Sequence, residues 1–153
     1  MEAAVDMSRV TPRDEYRGED VAETEAAHEL IARAEAFLSS FQWVAAVRVV
    51  YVGLVVPEVV GVFLIQIQPS TDGVDECLWV VVGDLPPAYL VTDDAATPEA
   101  ALRSYIDEMR RWAAAAAAGD PLDEIIPVNA VPSRSNAADL EKRLRLLQRF
   151  IDG

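Results

Sequence analysis

From about Glu19 to Phe41, apolar residues recur at three- and four-residue steps. Val21, Ala27, Leu30, Ile31, Ala34, Phe37, Leu38 and Phe41 draw one stripe, and Glu23, Glu25, Glu29, Arg33 and Glu35 fall mostly outside it. That period predicts an amphipathic helix with its back to a sheet. The pattern then shortens to two. Val44 to Val56 is dominated by valine, Pro57-Glu58 breaks it, and Val59 to Gln68 sets Phe63, Ile65 and Ile67 against Leu64, Gln66 and Gln68. Pro69 to Gly73 reads as a turn, because Asp-Gly tolerates the positive φ that such turns need. Glu76 to Gly83 is a third strand, and Ala88 to Thr92 a short fourth one after Asp84-Leu85-Pro86-Pro87. Connections this short carry no parallel crossover, so the strands form an antiparallel meander.

Helical spacing returns with a marked start. Thr97-Pro98-Glu99 offers an N-cap hydroxyl, a proline at the first helical position and an acid at the positive helix end. Leu102, Tyr105, Ile106, Met109, Trp112 and Ala113 form the apolar stripe, the alanines to Ala118 extend it, and Gly119 with Pro121 ends it. Leu122, Ile125 and Ile126 in the following connector are placed to tuck under the domain. Ser135 or Asn136 caps a final helix whose Leu140, Leu144, Leu147 and Ile151 face inward. Residues 1–17 are weakly patterned and read as a flexible acidic arm, in which Thr11-Pro12 could start a helical turn; residues 18–153 form a single domain. The fold expected is α+β: an N-terminal helix, a four-stranded antiparallel β-meander and two C-terminal helices, packed as a two-layer sandwich with the helices on one face.

Composition supports a real core, since 52% of the 153 residues are hydrophobic. The most apolar stretch, Trp43 to Gln68, is broken by Arg48, Gly53, Pro57, Glu58 and Gly61, which leaves no membrane span. The N-terminus has neither the basic nor the apolar segment of a signal peptide. A single cysteine, Cys77, suits a reducing compartment, and a cytoplasmic location is expected.

Charge changes the picture more. The formal net charge of −13 disfavours nucleic-acid binding, which needs concentrated positive charge. Acidity keeps a small protein soluble; it also attracts a basic partner protein. From Val49 to Leu102 there is no Lys or Arg, whereas Asp72, Asp75, Glu76, Asp84, Asp93 and Asp94 all fall there, and Lys142, Arg143, Arg145 and Arg149 make the last helix locally basic.

Familiar catalytic designs find little to build on. His28 is the only histidine and lies among Glu23, Glu25 and Glu29, as a surface histidine would. Cys77 opens an apolar strand with no basic neighbour to stabilise a thiolate. Asp72 to Glu76 lacks the alternating ligands of a calcium loop, and Asp93-Asp94 reads as a loop leading into a helix cap. The glycines are scattered and form no phosphate-binding loop. No metal or cofactor is expected. Gly83 to Leu90 is the least generic segment: its two prolines either kink and protect an edge strand or stiffen a loop that presents Asp84 and Tyr89, and either X-Pro bond could be cis. Trp43, Trp79 and Trp112 read as core.

The run from Trp79 through Gly83-Asp84-Leu85-Pro86-Pro87-Ala88-Tyr89 to Asp93, with Pro98 to Leu102, Tyr105-Ile106, Trp112 and Ile125 to Asn129, resembles a family of small uncharacterised bacterial proteins. That resemblance implies no activity. The order of elements alone is similar to the ubiquitin-conjugating-enzyme fold, but the chain has no His-Pro-Asn motif and no cysteine after the fourth strand. In size and acidity it is similar in character to bacterial immunity proteins and secretion chaperones. The expectation is a non-enzymatic protein-binding domain that uses an acidic surface containing Asp72, Asp75, Glu76, Asp84, Tyr89, Asp93 and Asp94. The alternatives are a small enzyme or ligand-binding domain with a carboxylate-lined pocket near Asp84, Tyr89 and Asp93, and a structural homodimer that buries an uncovered sheet face.

Overall fold

In the computed structural model, which describes residues 5–56, 59–71, 76–123, 125–126, 128 and 131–152 and only the backbone of Asp94, the first helical stripe becomes α1, Val21–Ser39. Its start is doubly capped: the Asp20 side chain accepts from Glu23 N at 2.8 Å, and the Glu23 carboxylate accepts from Glu19 N at 2.7 Å. These two bonds satisfy amides that have no helical partner.

Among the described residues the sheet is an antiparallel meander of five strands in the order β1-β2-β3-β4-β5. The four expected from the sequence are β2 (Val44–Val56), β3 (Val60–Pro69), β4 (Cys77–Gly83) and β5 (Leu85–Val91). The fifth falls within residues 1–17, where the sequence offered only a helical turn at Thr11-Pro12. Thr11–Pro12 is β1, paired with Val52 and Tyr51 of β2, and a turn follows it in which Tyr16 N donates to Pro12 O at 3.1 Å. Val10 beside it is 8% exposed and belongs to the core. Arg9–Glu99 and Arg13–Glu35 ion pairs, both 2.6 Å, fasten this strap to the two helical layers. The anchors lie distant in sequence, and so local patterning gives no sign of them.

The two-layer expectation is also corrected. Alternation along β3 sends Phe63, Ile65 and Ile67 to one face, where they meet Leu30, Ile31, Ala34 and Leu38 of α1. Val62 and Leu64 go to the other face, with Trp79 and Val81, and meet Leu102, Tyr105, Ile106 and Met109. The sheet therefore lies between α1 and the C-terminal helices, in three layers. Six consecutive buried residues, Val60 to Ile65, are the signature of a strand covered on both faces.

α2 runs Pro98–Ala118 with the start and stop expected: Thr97 Oγ1 accepts from Ala100 N at 3.1 Å, and Gly119 ends it with φ 73°. Its alanine run packs partly inward, at Ala113 and Ala116, against Ala137, Leu140 and Leu144 of α3, Arg134–Asp152. The cap of α3 is Ser133, whose hydroxyl accepts from Asn136 N at 3.1 Å, earlier in the chain than the expected Ser135 or Asn136. Leu122, Ile125 and Ile126 pack against the same core.

Strand β5 begins earlier than expected, at Leu85, and takes both prolines into an edge strand. Pro86 and Pro87 lie where the β4–β5 register slips, between the Gly83–Leu85 and Val81–Ala88 pairs, so few ladder bonds are forfeited. Neither proline follows a cis bond. The buried Tyr105 hydroxyl donates to Pro86 O at 2.6 Å, which ties this edge to α2.

Candidate functional site

The β2–β3 and β4–β5 turns meet at one end of the sheet. Gly83 and Leu85 pair directly, which leaves Asp84 as the whole turn. Gly83 has φ 150°, and a Cβ there would sit 2.2 Å from Val59 O, so only glycine fits. The close approach lets Asp84 N donate to Val59 O at 2.8 Å. Arg33 from α1 donates to Gly83 O at 2.8 Å, and Arg143 from α3 donates to Asp84 O at 3.1 Å. Each helical layer thus holds the turn by its backbone.

Between this turn pair and α3 lies a groove of about 300 Å3. Val56, Val59 and Leu85 form the sheet wall, and Leu146, Leu147 and Phe150 form the helix wall. Leu147 is buried, whereas Leu146 is 61%, Phe150 55% and Val59 40% exposed. The Arg143–Asp84 ion pair, 3.5 Å, crosses the groove lining. Both side chains are substantially exposed, so the pair adds little stability but spends the charge of each on the other. A shallower depression of about 290 Å3 between α2 and α3 is floored by alanines, with Arg110 and Glu141 paired beside it at 3.5 Å.

Among the described residues expected to form one acidic surface, Asp84 alone lines this groove. Glu76 and Asp93 are exposed at the opposite end of the sheet, Asp93 in a short 3-10 turn after β5. Asp72 and Asp75 lie outside the described residues, as does the side chain of Asp94. Tyr89 is half-buried on the α1 face. Seven residues of β5 separate Asp84 from the Asp93 turn, roughly 20 Å or more of extended chain. Among the described acids of the base-free stretch, Glu76, Asp84 and Asp93 lie outside the strands and Glu99 opens α2, while β3 and β4 are buried on both faces by the helices.

Two features escaped the sequence reading. One is the outward row Leu146–Phe150: the helical period marks an inward stripe but gives no sign that a second row borders a groove. The other is an aromatic cluster. Phe41 stacks on Trp43 with centroids 5.1 Å apart and meets Tyr89 edge-on at 5.3 Å; Trp43 meets Tyr89 at 5.1 Å and Phe37 meets Phe41 at 5.2 Å. Trp79 and Trp112 are core as expected, and the indole of Trp79 donates to Ala95 O at 2.9 Å, but Trp43 is half-buried in this cluster. The i, i+4 pair Phe37–Phe41 followed by Trp43 was the available signal.

His28 is exposed and Cys77 half-buried. Among the described residues no group of three or more His, Cys, Asp or Glu side chains is placed to hold a metal ion, and no helix is long and apolar enough to cross a membrane. Burial pushes the Tyr105 phenol far above its ordinary value. Its hydroxyl is engaged with Pro86 O inside the core, a structural use. Comparison with family models, curated proteins and solved structures found no match to the chain.

Proposed function

We propose that this chain is a non-enzymatic protein-binding domain whose contact surface is the groove between α3 and the paired turns. The observation that supports it is the exposure of Leu146 and Phe150 on the wall of a groove that also carries exposed Val59. Large apolar side chains left in water next to a concavity are the usual mark of a contact site, while singly scattered ones carry no such message. The groove volume, about 300 Å3, is at the small end for a small-molecule site and suits the anchor side chains of a polypeptide. In this reading the acids at the far end of the sheet, Glu76 and Asp93 among them, contribute to solubility and not to the contact.

A photo-crosslinking residue placed at position 146, in cells that express the protein natively, tests the proposal against the same residue at exposed position 28. A discrete adduct from position 146, identified and then reconstituted with purified partner, is the expected result. Indistinguishable adduct patterns from the two positions would remove the support for this surface.

A further inference from the structure

Resting on that protein-binding reading, we infer that the groove takes an acidic amphipathic segment of a partner: apolar side chains at helical spacing, flanked by carboxylates. Arg143, Leu146, Leu147 and Phe150 stand at i, i+3, i+4 and i+7 along α3, a row of about 10 Å that matches the anchor spacing of a docked helix. Lys142 and Arg149 flank Leu146 on the solvent side of that row. Both are exposed, and among the described residues neither makes an ion pair. Arg143 is occupied by Asp84, and Arg145 lies 3.6 Å from Glu141. Beside its exposed leucine and phenylalanine, α3 therefore carries two cations that pair with no described carboxylate, on a chain whose net charge is −13.

Charge argues for this occupant over a second copy. Two α3 helices docked face to face would bring Lys142 and Arg149 of each chain together, between bodies that repel one another. The overall negative charge also opposes an acidic partner at long range. Screening over about 8 Å at physiological salt confines that opposition and leaves the two α3 cations to decide the contact.

The test uses the full-length chain and a displayed library of short helical peptides. Their Leu/Phe row is constant, and the flanking positions are drawn from Glu, Gln and Lys. Selection on the wild type is followed by counter-selection on Leu146→Asp, a change at a 61% exposed position that leaves the core untouched. Glu-flanked peptides should survive, and Lys142→Glu with Arg149→Glu should weaken them about tenfold, as expected for reversing two exposed pairings. Lys- or Gln-flanked peptides that bind as tightly and still need Leu146 would overturn the acidic partner while leaving the groove as a protein-binding site. Peptides that fail to distinguish wild type from Leu146→Asp would overturn both readings. A concentration-dependent dimer in sedimentation velocity that Leu146→Asp abolishes would replace the acidic segment with a second copy.

Discussion

Substituting Gly83 by alanine tests whether the turn that walls the groove is built on a contact only glycine permits. The new Cβ would lie 2.2 Å from Val59 O, 2.8 Å from Val60 Cα and 2.9 Å from Val59 C, all backbone atoms that no rotamer change can move. The φ of 150° is itself unfavourable for an L side chain, costing about 1–3 kcal/mol. Relieving the overlap means parting the two turns, which forfeits the Asp84 N–Val59 O hydrogen bond, worth about 1 kcal/mol. Together these give a loss of about 3 kcal/mol, a large share of the roughly 5–15 kcal/mol of a whole domain. At this chain length that is a fall in Tm of about 6–12 °C. Gly119→Ala is the internal control: φ is 73°, but a Cβ there meets nothing within 4 Å, so only the conformational term of about 1–2 kcal/mol applies. Urea unfolding followed by the fluorescence of buried Trp79 and Trp112 measures both variants. If Gly83→Ala loses no more stability than Gly119→Ala, the close approach is not what makes glycine necessary, and the account of the turn is wrong.

Tyr105→Phe removes the hydroxyl that holds Pro86 O and should cost about 1–2 kcal/mol in the same urea assay. The same residue governs an alkaline limb. Burial raises the phenol above its ordinary value of 10 in the folded state, so its contribution is whole below pH 10 and is lost as pH rises from there towards the raised value, at a limiting slope of about 1.4 kcal/mol per pH unit. Stability profiles between pH 9 and pH 11 should accordingly fall more steeply for the wild type than for Tyr105→Phe; parallel profiles would refute that assignment. A chain beginning at Gly18 loses β1, Val10 and both strap ion pairs. It should melt at lower temperature and associate with concentration in light scattering, because the β2 edge around Tyr51 and Val52 is then bare. An unchanged melting temperature would support the loose-arm view of those residues.

Local chemistry made much of the architecture readable. Thr97, Pro98 and Gly119 bracket α2 to the residue because capping and positive φ are properties of single positions. The valine-rich run of β2 and the alternation of β3 and β4 were legible for the same reason: strand patterning needs only near neighbours. The layer count was not. Phe63, Ile65 and Ile67 plainly share a face, and Val60, Val62 and Leu64 share the other, yet alternation does not say which helix each face meets. That choice belongs to connections and packing between distant segments. β1 was hidden likewise, since a two-residue strand carries no period and is defined by its partners on β2.

The candidate site divides in the same way. Composition gave one histidine, one cysteine and a gathering of base on α3, all countable along the chain. Proximity in sequence groups Asp84, Tyr89 and Asp93, but a strand carries its ends apart and turns its alternate side chains to opposite faces. Only the tertiary structure sets Asp84 against Arg143, brings Val59 beside Leu85, and leaves Leu146 and Phe150 facing a groove instead of a core. A helix's second apolar row has no meaning until its surroundings are built, because burial is a property of the assembled fold and not of the side chain.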